Sequence, residues 1–220
     1  YENAFAIIAH GLSLHRHDIL SEDSLEDIAD KPGKPMSIDM DDEYDNKIKD
    51  LYSEIVSFIS KSSLNMSEQQ ADELFMLRAA GRDIVEAIKD TKHMHGNLVQ
   101  YIASDNQYIR EEYNKIRAGL GSVMRRLENI RKDEDDMGEM LLMDVIKLEM
   151  EEHDRMVNDT IERLIREGRI TARMATSLMN DSAYAYDVAR NLVQMGEVLF
   201  TKGDSDFKAA LRSVQLDEDD

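Results

Sequence analysis

Glu86 and Asp90 stand four residues apart, and so do Ser177 and Asp181. Residues at i and i+4 share one helix face, a turn apart. Glu86 and Asp90 so placed repel each other unless a cation lies between them or water solvates both. His93 and Asn97 extend the same face by further turns. Carboxylate with imidazole suits iron, manganese or zinc, whereas carboxylates alone suit magnesium or calcium. The chemistry on offer is therefore capture of a divalent or ferric ion by Glu86 and Asp90, with His93 as a further ligand. On a charged helix the same spacing also describes a solvated surface.

Asp181 departs from the pattern around it. With residues 170–200 read as one helix at ~100° per residue, Ile170, Met174, Leu178, Ala185, Val188, Leu192 and Leu199 fall within a sector of roughly 80°. Asp181 lies inside that sector. A carboxylate on a core-facing stripe must be paired, hydrogen-bonded or metal-bound. Burial of Asp181 is expected, either as a metal ligand or as a core group satisfied by Tyr184, an arginine or a buried water.

Other candidates are weaker. His95 falls on the apolar side of its helix, where a hydrogen-bonded core histidine is expected. Glu149 and His153 are also i and i+4, within the acidic run 149–154. A di-iron bundle of the ferritin type wants Glu-x-x-His on two helices, yet Met150 precedes His153 by three residues and Asp90 precedes His93. Neither a Gly-x-Gly-x-x-Gly turn, a phosphate loop nor a Gly-x-Ser-x-Gly elbow occurs, so no catalytic residue is expected and the chain reads as a non-enzyme.

These residues must be positioned by helices. The 220-residue chain has 2 Pro, 10 Gly, no Trp and no Cys, and it is rich in residues that favour helix. The prolines fall in Lys-Pro-Gly-Lys-Pro at 31–35, which no helix can traverse. Residues 1–39 therefore read as an apolar segment followed by a linker over 21–39. Helical stretches are expected over 40–64, 68–103, 106–131, 137–166 and 171–203. Ser67 with Gln70 forms a capping box, Asp105 and Thr171 cap two more, Gly168 stops the fourth, and a short helix near 205–214 precedes an acidic tail. Long helices joined by short loops make an all-α antiparallel bundle over 40–203, with 204–220 as an appendage.

The net charge of −19 disfavours nucleic acid, whose affinity comes from cations meeting phosphates, and anionic lipid surfaces. It attracts divalent cations and basic partners. Without cysteine there are no disulfides, thiolate zinc sites or cysteine nucleophiles. No apolar run reaches the ~20 residues of a membrane span.

Set side by side, Glu86–Asp90 and Ser177–Asp181 resemble the paired acidic-x3-Asp motifs of the PhoU family, which is built from duplicated three-helix bundles. In that family the motifs hold metal ions, including multinuclear iron clusters. The first motif matches in full. The second has Ser177 in place of an acid, so the resemblance implies a degenerate second repeat. Three further stretches, at 9–16 (Ala-His-Gly-Leu-Ser-Leu-His-Arg), 92–98 (Lys-His-Met-His-Gly-Asn-Leu) and 178–186 (Leu-Met-Asn-Asp-Ser-Ala-Tyr-Ala-Tyr), are similar to the soluble PhoU-like region that follows the membrane part of bacterial sodium/phosphate cotransporters. The similarity is diffuse and runs from about Tyr1 to Thr201. It implies a non-enzymatic regulatory domain on the cytoplasmic side of the inner membrane. Its partner would be a transporter domain encoded upstream of Tyr1, with a homodimer as a second partner.

Overall fold

The computed structural model describes residues 1–31, 34–62, 66–132 and 136–200, and side chains outside 136–142, 150–156 and 158. All regular structure among these residues is helical, as the long amphipathic runs predict. Three short helices come first: α1 (Glu2–Gly11), α2 (Arg16–Ile19) and α3 (Leu25–Asp30). α4 (Met40–Tyr44) continues through a π-helical turn, Asp45–Lys49, into α5 (Asp50–Ser62). Four long helices follow: α6 (Glu68–Ile102), α7 (Gln107–Lys132), α8 (Asp136–Arg166) and α9 (Ala172–Leu199). The predicted helix near 205–214 and the acidic tail lie outside the described residues, as does the His153 side chain.

Local signals explain most of the boundaries. The Ser67 side chain accepts from the Gln70 amide while Gln70 reaches back, completing the predicted capping box of α6. Thr171 accepts from the Met174 amide and opens α9. Gly168 adopts φ +66° just past α8, which frees Arg169 N–H to bond the Leu164 carbonyl at 2.9 Å, a left-handed stop that suits glycine. One cap differs from the expectation: Asn106, not Asp105, receives the Tyr108 and Ile109 amides at 3.0 and 3.3 Å.

The stretch 21–39, predicted as a linker, is only partly one. Ser24 accepts from the Asp27 amide and starts α3, whose Leu25, Ile28 and Ala29 are buried against α7. The periodicity of so short a helix is swamped by its acidic neighbours, and its stability comes from tertiary packing. α1 is buried too, through Phe5, Ile7 and Ile8, as is Leu12 just after it. Residues on both sides of position 39 thus share one apolar core.

Arg117 fastens this amino-terminal region. Its buried guanidinium donates to the carbonyls of Leu12, Ser13 and Ala29 and to Asn114 Oδ1, each at 2.8 Å. Burial lowers its pKa to about 10, so it stays charged at neutral pH. A cation at the carboxyl ends of α1 and α3 satisfies carbonyls that the helices leave free. Arg125 does the same for Asp18 and Ile19.

α9 lies at the centre, packed against α6, α7 and α8. By contrast the hairpin of α5 and the first half of α6 leaves the bundle. Ile48 and Ile59 are buried, but Leu51, Ile55, Phe58, Phe75 and Leu77 are exposed, Phe58 at 62%. A stripe that periodicity alone assigns to a core is here half covered.

Candidate functional site along the seam of α6 and α9

α6 and α9 run antiparallel, since their cross-helix partners descend on one as they ascend on the other. Asn191 Nδ2 donates to Asp90 Oδ2 at 3.4 Å. His93 stacks on Tyr184 with ring centroids 5.1 Å apart. Asn97 hydrogen-bonds Asp181. Tyr101 Oη donates to Ser177 Oγ at 3.4 Å.

Asp181 is buried, at 1% exposure, as its place on the apolar stripe predicts. Its main partner is one that the sequence did not single out. Tyr113 of α7, itself fully buried, donates its phenol to Asp181 Oδ2 at 2.5 Å. Tyr184, the tyrosine expected there, faces His93 instead. Tyr101 packs on Tyr113 with ring centroids 5.0 Å apart. Burial raises the Asp181 pKa, and the bonds from Tyr113 and Asn97 pull it back down. The Tyr113 pKa is pushed up by burial and then by its carboxylate acceptor. With the bond from Asn97, this short contact ties α6, α7 and α9 together at one carboxylate.

Two turns along the seam lies a second set of acids. Asp83, Glu86 and Asp90 line one face of α6 opposite Asp187, Arg190 and Asn191 of α9. Glu86 Oε1 accepts from Lys89 at 2.8 Å, and Arg190 pairs with Asp187 at 3.0 Å. Burial raises the Asp90 pKa, with Asp187 and Glu86 adding to the effect against His93 and Arg190. Asp83 is buried at 8% exposure. Burial pushes its pKa up to about 6, Arg82 and Arg190 oppose this, and Glu86 adds to it.

The structure therefore brings Glu86, Asp90 and His93 into one neighbourhood and leaves Asp181 out of it. Asn97, the α6 partner of Asp181, lies seven residues beyond Asp90, about 10 Å along the axis at 1.5 Å per residue. Among the described residues no three His, Asp or Glu side chains could hold a metal ion together. Glu86 is bound to Lys89, Asp90 to Asn191, and Asp181 to neutral donors. This donor set does not fit the metal that the resemblance implies.

Sequence reasoning missed Tyr113, Tyr101, Asp83 and Asp187. Asp83 carried a signal, since it precedes Glu86 by three residues and Asp90 by seven and so shares their face. Tyr113 carried none, because only the packing of α7 brings it to α9. His95 behaves as predicted for a core histidine: its Nδ1 donates to the Gly11 carbonyl at 2.8 Å. Glu149, on an exposed face, pairs with Arg126 at 2.7 Å. Chemically the seam can bind and release protons, Asp83 near pH 6 above all. No helix among the described residues is long and apolar enough to cross a membrane. Comparison with family models, with the curated proteins and with solved structures finds no match in any of the three.

Proposed function

We propose that this chain is a non-enzymatic regulatory module, PhoU-like in kind, that acts on the membrane part of a sodium-dependent phosphate transporter through helix contacts. The observation that carries the reading is convergence. The stretches 9–16, 92–98 and 178–186, far apart in sequence, meet around α6. Gly11 bonds His95, and a Cβ built on Gly11 would lie 2.6 Å from Thr91, so the approach of α1 to α6 demands glycine. On the opposite face Asn97 bonds Asp181. The residues behind the resemblance thus lie close together around α6, which supports reading them as one unit.

The donor set favours the version of this reading without metal. The exposed apolar side of α5 and early α6 is the surface offered for the transporter contact. The test is phosphate uptake by cells expressing the full gene product that contains this chain, native or carrying Phe58→Ser. Sodium-dependent uptake whose rate changes in the variant supports the proposal. Absence of sodium-dependent phosphate uptake, or uptake indifferent to Phe58→Ser and Leu51→Ser together, overturns it.

A further inference from the structure

A second face of α9 encloses something different. Beside Asp181, which points to α6 and α7, Ser182 turns toward α8. A cavity of about 310 Å³ lies there between α7, α8 and α9. Part of its wall is apolar, formed by Ile116, Leu120 and Val123 of α7, Ile146 and Val157 of α8, and Ala189 of α9, all buried. Three hydroxyl side chains line this space, Ser122, Ser182 and Tyr186, and Ser182 is the most buried of them. Ser182 is 9% exposed, and its Oγ has no hydrogen-bond partner among the described residues. Buried polar groups are normally satisfied, so this hydroxyl is a ready hydrogen-bonding partner for a molecule that enters the cavity. The rim carries Glu26, Glu149 and Arg126. Arg126 is already engaged with both Glu149 oxygens, at 2.7 and 3.3 Å, so among the described lining residues no cation is left unpaired.

We infer that this cavity between α7, α8 and α9 is a binding site for a small neutral amphiphile. Its apolar body would fill the space between Ile116 and Ala189, and its hydroxyl or carbonyl would bond Ser182 Oγ. The volume sits at the lower end of the range for small-molecule pockets, enough for a bicyclic or short-chain molecule. The rim and the charge of −19 select against anions. The site is separate from the acidic seam and from the exposed flank of α5, and it does not depend on the transporter reading.

The probe is 2-naphthol, whose fluorescence reports transfer to an apolar site and is not masked in a chain without Trp. It is titrated into the full chain, with 2-naphthoate as its anionic counterpart. Saturable binding at one site is expected, with 2-naphthoate about tenfold weaker because a charge must be desolvated beside an acidic rim. Ser182→Ala removes one hydrogen bond and should weaken 2-naphthol about fivefold. Ala185→Phe fills the cavity and should abolish binding with the helical circular dichroism unchanged. If that variant misfolds, Ser182→Ala alone decides. Phe58→Ser serves as the control for adsorption to the exposed flank and should leave the affinity unchanged. Failure to saturate by about 1 mM, the weak limit for a specific pocket, overturns the proposal. So does tighter binding of 2-naphthoate than of 2-naphthol, affinity unchanged in Ser182→Ala, or loss of binding in Phe58→Ser.

Discussion

The seam between α6 and α9 holds two groups of carboxylates, and they are treated in opposite ways. At Asp181 the acid is surrounded by neutral donors, Tyr113 and Asn97, and sealed by three helices. Two turns away, Asp83, Glu86, Asp90 and Asp187 face one another and depend on Lys89 and Arg190 for compensation. Hydrogen bonds from neutral groups hold a buried carboxylate without adding net charge and without needing a mobile counter-ion. At the half-covered end of the seam, burial raises the proton affinity of Asp83 and Asp90, and neighbouring acids add to it. The difference teaches that burial alone does not mark a site as functional. Asp181 is the more buried acid and is structurally satisfied, whereas Asp83 is the one poised to change its charge near neutral pH.

The largest effect is expected from removing the satisfied group. Asp181→Ala leaves the Tyr113 hydroxyl buried without an acceptor and should cost about 1–3 kcal/mol. At about 2–4 °C per kcal/mol for a chain of this size, calorimetry should record a fall of several degrees. Tyr113→Phe combined with Asp181→Leu should lose less than the two single changes together, because paired removal leaves no orphan. Additive losses would show that the two groups are not coupled and would break the comparison.

The next effect has the opposite sign. Asp83 binds its proton more tightly in the folded chain, at about 6, than a free aspartate does. Between pH ~4 and ~6 the folded state therefore holds more protons than the unfolded, and stability falls as pH rises through that window. Above it the penalty of the buried charge is fully present. Asp83→Asn should thus raise stability at pH 7 by on the order of 1 kcal/mol, with the gain gone by pH ~4. Melting curves of both proteins across this range check it. A gain independent of pH would remove Asp83 from the titrating set.

A smaller effect separates metal capture from screening. Millimolar manganese should raise the melting temperature slightly and equally in the native chain and in Glu86→Gln with Asp90→Asn, because screening of an acidic surface needs no particular acid. A rise confined to the native chain would mean that Glu86 and Asp90 do bind the ion and that the two ends of the seam differ more than the geometry implies. Smallest of all is Tyr101→Phe, expected to cost under about 0.5 kcal/mol because its bond to Ser177 is long, at 3.4 Å. Chemical denaturation measures it against Asp181→Ala.

Several features were legible before any coordinates. The spacing of Ile170, Leu178, Val188 and Leu192 around Asp181 predicts a helix and a buried acid, and both are present. The capping box at Ser67 and the glycine stop at Gly168 carry their own hydrogen-bonding logic and stand where predicted. The Glu86 and Asp90 pair was legible as a shared face. That Glu86 would pair with Lys89 rather than with a metal ion was not, because neighbours at i+3 and i+4 compete for one carboxylate on a helix surface. α3 was illegible as structure, since six residues with three acids gain their order only from burial against α7.

What the sequence determined by itself is local: which segments are helical, where most of them start and stop, and which residues share a face. These follow from rotation of ~100° per residue and from hydrogen bonds that close within a few positions. Only the tertiary structure decided which helix meets which face. It put Tyr113 on Asp181, drew Arg117 to the ends of α1 and α3, left Phe58 in the open, and aimed Ser182 into a cavity while its neighbour Asp181 was satisfied. Such contacts join residues dozens of positions apart through packing between helices, and the periodicity of a single helix carries no information about the partner it will meet.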